Sequence, residues 1–250
     1  MIYMIIGFFI TALLYASVGF GGGSTYNALL ILSNVDYLLV PKIALTCNLI
    51  VVTGGVIRYQ KNALIPWRIT LPLIMVSIPF AWLGGNTLIS KEVFLLTLGL
   101  SLLFSGTLLL FRHQEITEFS DTIRTKLGIF LFSSVSALLG FFSGLVGIGG
   151  GIFFSPMLHL SKALPSKNIA AFASVFIFVN SIAGLTGQFM KDSNPQTLNS
   201  YFAYAWLFIA VLIGGLIGTN IGIKNFRPII VRRLTAVLII YVGLRLIIGF

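Results

Sequence analysis

Eight apolar runs dominate the chain, at residues 2–18, 41–58, 66–90, 92–111, 127–146, 168–189, 201–222 and 229–249. A helix needs about 20 apolar residues to cross a bilayer. Runs of this length point to an all-α, polytopic membrane protein. The charge content agrees. Only 9% of the residues are charged, against about 25% in a soluble domain, so the surface cannot face water on all sides.

Two interruptions complicate a simple count of spans. The stretch SVGFGGGSTYNALLIL, residues 17–32, carries Gly19 and Gly21 to Gly23 inside apolar sequence. GLVGIGGGIFFSPMLHL, residues 144–160, repeats the spacing with Gly147 and Gly149 to Gly151, at an offset of 128 residues. Glycine is costly inside a helix, so each cluster marks a break. After each break comes a short apolar piece, residues 25–33 and 152–160. At 1.5 Å per residue such a piece reaches about 14 Å, half a bilayer.

Charge decides how the short pieces run. If they stay at the surface, the chain is a plain eight-span protein whose 16 Lys and Arg divide 8 to 8 between the two sides. If each glycine cluster is the tip of a hairpin that enters the membrane and returns, Lys42, Lys91, Lys191 and Arg245 share one side and the other twelve share the opposite side. A 12 to 4 division is what the positive-inside rule leads one to expect. The expectation is therefore two inverted repeats, each a glycine-tipped re-entrant (or broken-helix) hairpin plus three transmembrane helices. Residues 1–111 form the first repeat and 127–250 the second. The polar stretch 112–126 is a cytoplasmic linker, and both termini lie outside. Arg245 sits within the last apolar run and reaches its side by snorkelling. The first run lacks a basic segment before it, and its glycine-rich end belongs to a repeated element, so it is expected to be retained rather than cleaved.

Non-helical backbone at membrane depth is tolerated where protein or a water-filled cavity surrounds it. The helix that begins after each cluster has unpaired N–H groups, and its dipole favours an anion. In the first tip Ser24, Thr25, Tyr26 and Asn27 add side-chain donors. In the second, Ile152, Phe153 and Phe154 take the matching places, and Ser155 is polar. The plainer reading is close helix packing by small residues, but a lone GxxxG serves that end without a duplicated triple glycine. A dinucleotide fingerprint needs a strand before the glycines, and here a membrane span precedes them.

Further polar residues lie in the spans that follow the hairpins. IALTCNLIVVTGG carries Thr46, Cys47 and Asn48, and AFASVFIFVNSIAG carries Ser174 and Asn180. The 128-residue offset sets Thr46 against Ser174. Gln188, Asn86 and Asn220 are weaker candidates. No Asp or Glu falls in the middle of a span. No nucleophile–base pair or metal-ligand cluster is visible, which argues against an enzyme and against a bound cofactor. His113 stands in the linker without a second histidine near it. The single cysteine, Cys47, precludes an intrachain disulfide. The basic excess lies beside apolar runs, which fits a membrane partner rather than nucleic acid.

At the two glycine motifs the chain resembles the sulfite exporter TauE/SafE family of membrane permeases. GFGGGSTYNALL and GIGGGIFFSPML match the duplicated unit of that family. The second copy keeps Pro156 where the first has Ala28. PKIALTCN and SKNIAAFAS match as entries to the next span, and AWLGGNTL pairs with GLIGTNIG. The resemblance implies transport of small sulfur-containing anions, such as sulfite or sulfonates, across a bacterial inner membrane. On this basis Gly21, Gly22, Gly23, Ser24, Thr25, Thr46, Asn48, Gly149, Gly150, Gly151, Ser174 and Asn180 are the candidate substrate-binding residues, with membrane lipid as the surrounding partner. An anion channel would use the same tips, and an intramembrane enzyme is the more distant alternative.

Overall fold

The computed structural model describes residues 2–110, 125–161, 164–192, 195–221 and 228–248. Among the described residues all regular structure is helical. The helices are α1 (Ile2–Val18), α2 (Gly23–Leu32), α3 (Val40–Lys61), α4 (Trp67–Asn86), α5 (Lys91–Leu110), α6 (Lys126–Val146), α7 (Gly151–Leu160), α8 (Ser166–Lys191), α9 (Pro195–Phe202), α10 (Ala205–Ile221) and α11 (Pro228–Ile248). Most of the linker, including His113, lies outside the described residues.

Among the described residues six segments are long and apolar enough to cross a membrane: α3, α4, most of α5, most of α6, α8, and a stretch from Gln196 to Asn220. The tenth helix thus gains a preceding turn in α9, which begins ahead of the expected start at residue 201. α4 stops at Asn86 rather than at residue 90. The helices α2 and α7 have 10 residues each, about 15 Å, so neither crosses alone.

Glycine contacts fix the directions of the helices. Gly214 of α10 lies against Phe9 of α1, and Gly218 against Leu13. Gly215 lies against Val51 of α3, and Gly54 against Thr219. Residue numbers rise together in both pairs, so α1 and α3 run parallel to α10 and to each other. Two helices that follow one another in the same direction require the chain to return between them, and α2 is that return. The same holds for α6 and α8. Gly140 and Gly144 of α6 meet Ser77 and Ala81 of α4. Asn168 near the start of α8 bonds Leu64 just before α4, and Gly184 towards the end of α8 meets Gly85 near the end of α4. Both helices are parallel to α4, and α7 returns the chain between them. The α5 and α11 pair is antiparallel, with Gly99 against Ile247 and Gly106 against Ile240. At many of these crossings the glycine has the partner's backbone carbonyl where a Cβ would stand. Small residues that let backbones approach are the usual means of helix association in lipid.

The helices α3 and α8 form the centre. Of their apolar stretches 61% and 67% is buried, against 33–39% for the other spans. They are antiparallel and joined at both ends. Lys42 of α3 pairs with Asp192 just after α8, and Asn168 of α8 donates to the Leu64 carbonyl just after α3. Large apolar side chains such as Tyr3, Met75, Phe130 and Trp206 point outward. That inversion is expected where lipid is the solvent.

Candidate functional site

The two glycine tips meet in the middle of the molecule. In the first, Gly19 and Gly22 have φ of 81° and 90°; in the second, Gly147, Gly149 and Gly150 have φ of 85°, 88° and 72°. L side chains rarely adopt this region, which explains why both breaks are built of glycine. Close approach explains the rest. A Cβ on Gly23 would stand 2.8 Å from the Ile148 carbonyl oxygen and 2.9 Å from that of Gly147. The backbone of one tip therefore rests on the backbone of the other.

Asn48 of α3 lies over this junction. A Cβ on Gly21 would meet its Oδ1 at 2.5 Å, one on Gly23 its Nδ2 at 2.6 Å, and one on Gly149 the same Nδ2 at 3.1 Å. Ile177 of α8 covers Gly21, Gly149 and Gly151. Helices α3 and α8 thus close on the tips from opposite repeats of the motif.

The broken end of α6 leaves carbonyls without intrahelical donors, and side-chain amides from three other helices satisfy them. Gln188 of α8 donates to the Gly144 carbonyl at 2.8 Å and to that of Leu145 at 3.3 Å. Asn27 of α2 donates to the Val146 carbonyl at 2.8 Å, and Asn48 to that of Gly147 at 3.4 Å. At the other tip Ser174 of α8 donates to the Gly19 carbonyl at 2.6 Å. The side-chain oxygens of Asn27, Asn48 and Gln188 are buried with no hydrogen-bond partner among the described residues.

The first turn of α2 is polar and buried. Ser24 is 1% and Thr25 4% exposed. Thr25 shares a hydrogen bond of 3.0 Å with the Tyr15 hydroxyl. The N–H groups of Thr25 and Tyr26 reach the Gly22 carbonyl, while those of Gly23 and Ser24 have no acceptor among the described residues. The first turn of α7 is apolar, and Phe153 stacks on Phe104 of α5 at 5.8 Å between centroids. It lines an apolar cavity of about 770 Å³ between α5, α6 and α7.

The candidate residues thus divide. The structure brings Gly21 to Gly23, Ser24, Asn48, Gly149 to Gly151 and Ser174 to the tips, with Thr25 one residue behind. Thr46 instead bonds the Lys42 carbonyl and, at 2.7 Å, the Tyr201 hydroxyl. Thr46 and Ser174 match by offset, and each bonds the carbonyl four residues back, but their second partners differ: Tyr201 for Thr46 and Gly19 for Ser174. Asn180 donates to Phe176 in its own helix. Asn86 and Asn220 are exposed at helix ends. Gln188 and Asn27 hold the α6 terminus more directly than their sequence positions suggest, because the signal is a broken helix elsewhere in the chain. The pairing of Lys42 with Asp192, 150 residues apart, has no local sequence signal at all.

Long apolar helices packed round two broken hairpins, with polar groups gathered inside, define a multi-pass membrane protein. The chain belongs to the sulfite exporter TauE/SafE family, whose model matches residues 3–246. It is 31% identical over 243 residues to a probable membrane transporter protein of Sinorhizobium fredii, covering 97% of this chain and 96% of that one. It is 27% identical to a probable membrane transporter protein of Methanocaldococcus jannaschii, covering 88% and 84% of the two chains. A sulfite exporter TauE/SafE family protein of Arabidopsis thaliana is 30% identical over 103 residues, 41% of this chain and 21% of the plant protein. No solved structure matches.

Proposed function

We propose that the chain is a carrier of small anions, sulfur-containing ones such as sulfite or sulfonates, in a bacterial inner membrane. It works by alternating access between two inverted repeats, residues 1–111 and 127–250, with 112–126 as a cytoplasmic linker. Helix directions support the repeat reading. The parallel α1 and α3 oppose the parallel α6 and α8, while α4 opposes α10 and α5 opposes α11.

The observation that carries the proposal is the meeting of the two tips at Asn48. Helix α2 starts there with free N–H groups and the hydroxyls of Ser24 and Thr25. Such a terminus carries about half a positive charge. It can hold an anion without a buried Lys or Arg, whose desolvation is expensive at membrane depth. Contact between the tips leaves no room for a methyl group on Gly23, which favours a carrier over an open channel. Part of the translocation step is then separation of the tips, with the anion taking the space between them.

Equilibrium binding to the purified protein tests this reading, using sulfite, sulfate, sulfoacetate, taurine and a carboxylate. Hydrogen bonds to a charged group contribute about 1.5–3 kcal/mol each. Ser24→Ala combined with Thr25→Val is expected to weaken binding of the preferred anion by roughly one to three orders of magnitude, at about 1.4 kcal/mol per tenfold. Binding equal to wild type removes the first turn of α2 from the site.

Topology is tested separately. In a Cys47→Ala background, a cysteine at position 120 is expected to react only from the cytoplasm and one at position 36 only from outside. Three spans separate the two positions, so reaction from the same side excludes the hairpin arrangement.

A further inference from the structure

We infer that Lys42 is an anion-recognition site at one mouth of the transport path, occupied in this structure by the Asp192 carboxylate of the chain itself. The inference rests on the carrier reading above and adds a site to it.

Lys42 lies in the first turn of α3 and its side chain is 2% exposed. Its Nζ is 2.8 Å from Asp192 Oδ2 and 3.3 Å from the Asp192 carbonyl oxygen. The Phe189 ring stands 5.6 Å from the same nitrogen. The ammonium is thus enclosed by one carboxylate, one carbonyl and one aromatic face. Asn48 lies six residues further along α3, about 9 Å by helical rise. Between them along α3, Thr46 bonds the Tyr201 hydroxyl of α9. The pair therefore closes the end of the α3/α8 seam that leads to the tips.

Three physical points favour recognition over simple bracing. A buried ion pair gives little net stability compared with apolar side chains of similar size, because both charges lose their water. The half-buried Lys191 immediately precedes Asp192 in the chain, so this end carries two lysines to the one carboxylate of the pair, an excess that draws anions. The opposite end of the same seam is held by a neutral bond, Asn168 to the Leu64 carbonyl at 2.8 Å. Among the described residues the charged pair stands at one end only, and bracing alone gives no reason for that. A carboxylate on Lys42 occupies the place of a small oxyanion. An incoming anion that replaces it releases Asp192, 15% exposed, to water and lets the seam part.

The native Cys47 serves as reporter. It is fully buried and five residues from Lys42 along α3. The full-length protein in proteoliposomes is treated with a cationic, membrane-impermeant methanethiosulfonate, and sulfoacetate binding is measured in parallel. Asp192→Asn is expected to speed Cys47 modification and to tighten sulfoacetate binding, each about tenfold, since Lys42 is no longer self-occupied. Lys42→Gln is expected to speed modification likewise but to weaken binding about tenfold. Opposite shifts in affinity are the signature, because a purely structural pair moves both variants the same way. The double variant Lys42→Gln with Asp192→Asn leaves neither member of the pair behind alone, and is expected to label fast and bind weakly. Equal affinity changes in the two single variants, unchanged Cys47 labelling in Asp192→Asn, or a double variant like wild type overturns the inference. If wild type itself binds none of the anions tried, the carrier reading fails. If it binds and Lys42→Gln binds as well, only the Lys42 site fails.

Discussion

Valine at Gly22 or at Gly150 will abolish transport while the protein still inserts. Both glycines have positive φ, 90° and 72°, where an L residue costs about 1–2 kcal/mol and a β-branched one more. The added atoms also collide. At Gly22 a Cβ would meet Thr11 Cγ2 at 3.1 Å and the Tyr26 ring at 3.2 Å; at Gly150 it would meet Phe176 Cε1 at 2.9 Å and the Leu139 carbonyl at 3.1 Å. The long helix pairs that hold the bundle do not involve these positions, so the strain falls on the tips. A bias of about 3 kcal/mol against the working conformation reduces its population about 100-fold.

Alanine substitutions separate strain from contact. Gly23 has no positive φ, yet Gly23→Ala pushes against the Ile148 and Gly147 carbonyls and is expected to part the tips. Gly215→Ala has Val51 at 3.7 Å as its nearest neighbour, ordinary contact, and should transport like wild type. Anion flux in vesicles, normalised to the amount of protein in the membrane, reads all four. Full flux in both valine variants reduces the glycines to packing residues.

Much of this architecture was legible because it depends on length and spacing. Apolar runs announce spans, and a 128-residue repeat of Gly-x-Gly-Gly-Gly announces two breaks of like geometry. The positive φ at Gly19 and Gly147, and again at Gly22 and Gly150, follows from that repeat. The partners of the breaks were harder to read. Ser174 meets a tip as its position suggests, but its counterpart Thr46 turns to Tyr201, because near-equal backbones were filled with unequal side chains. Phe153 replaces Thr25 and draws α7 toward Phe104 of α5. Contacts such as Asn27 with Val146, or Lys42 with Asp192, join residues 119 and 150 positions apart. No local periodicity encodes them. No Asp or Glu lies mid-span in the sequence, and that pattern carries no hint that a residue near a span end, Asp192, is paired with Lys42 within the bundle.

Asn48→Asp should be the most damaging isosteric change in the molecule. The side chain keeps its shape over Gly21, Gly23 and Gly149, so packing of the tips is preserved. What changes is the polarity of one atom. The Asn48 amide donates to the Gly147 carbonyl, whereas a carboxylate there offers only acceptors and faces that carbonyl unfavourably. If anions cross at this point, a fixed negative charge about 4 Å away costs about 4 kcal/mol at an effective dielectric constant of 20. At about 1.4 kcal/mol per tenfold this is nearly three orders of magnitude in occupancy. Asn48→Leu removes the same donor without adding charge. It loses one bond, worth about 1 kcal/mol net, and leaves a carbonyl unpaired at about 1–3 kcal/mol. The two variants also differ in pH dependence. Burial and the neighbouring carbonyl favour the protonated form of an introduced carboxyl. Lowering pH therefore removes the repulsive charge, and flux through Asn48→Asp should recover as pH falls, whereas flux through Asn48→Leu should follow the wild-type profile. Flux of an anion that stays ionised throughout, such as sulfate or a sulfonate, isolates the effect from protonation of the substrate. Equal losses in the two variants at every pH would show that Asn48 only fastens the α6 terminus and that the anion passes elsewhere.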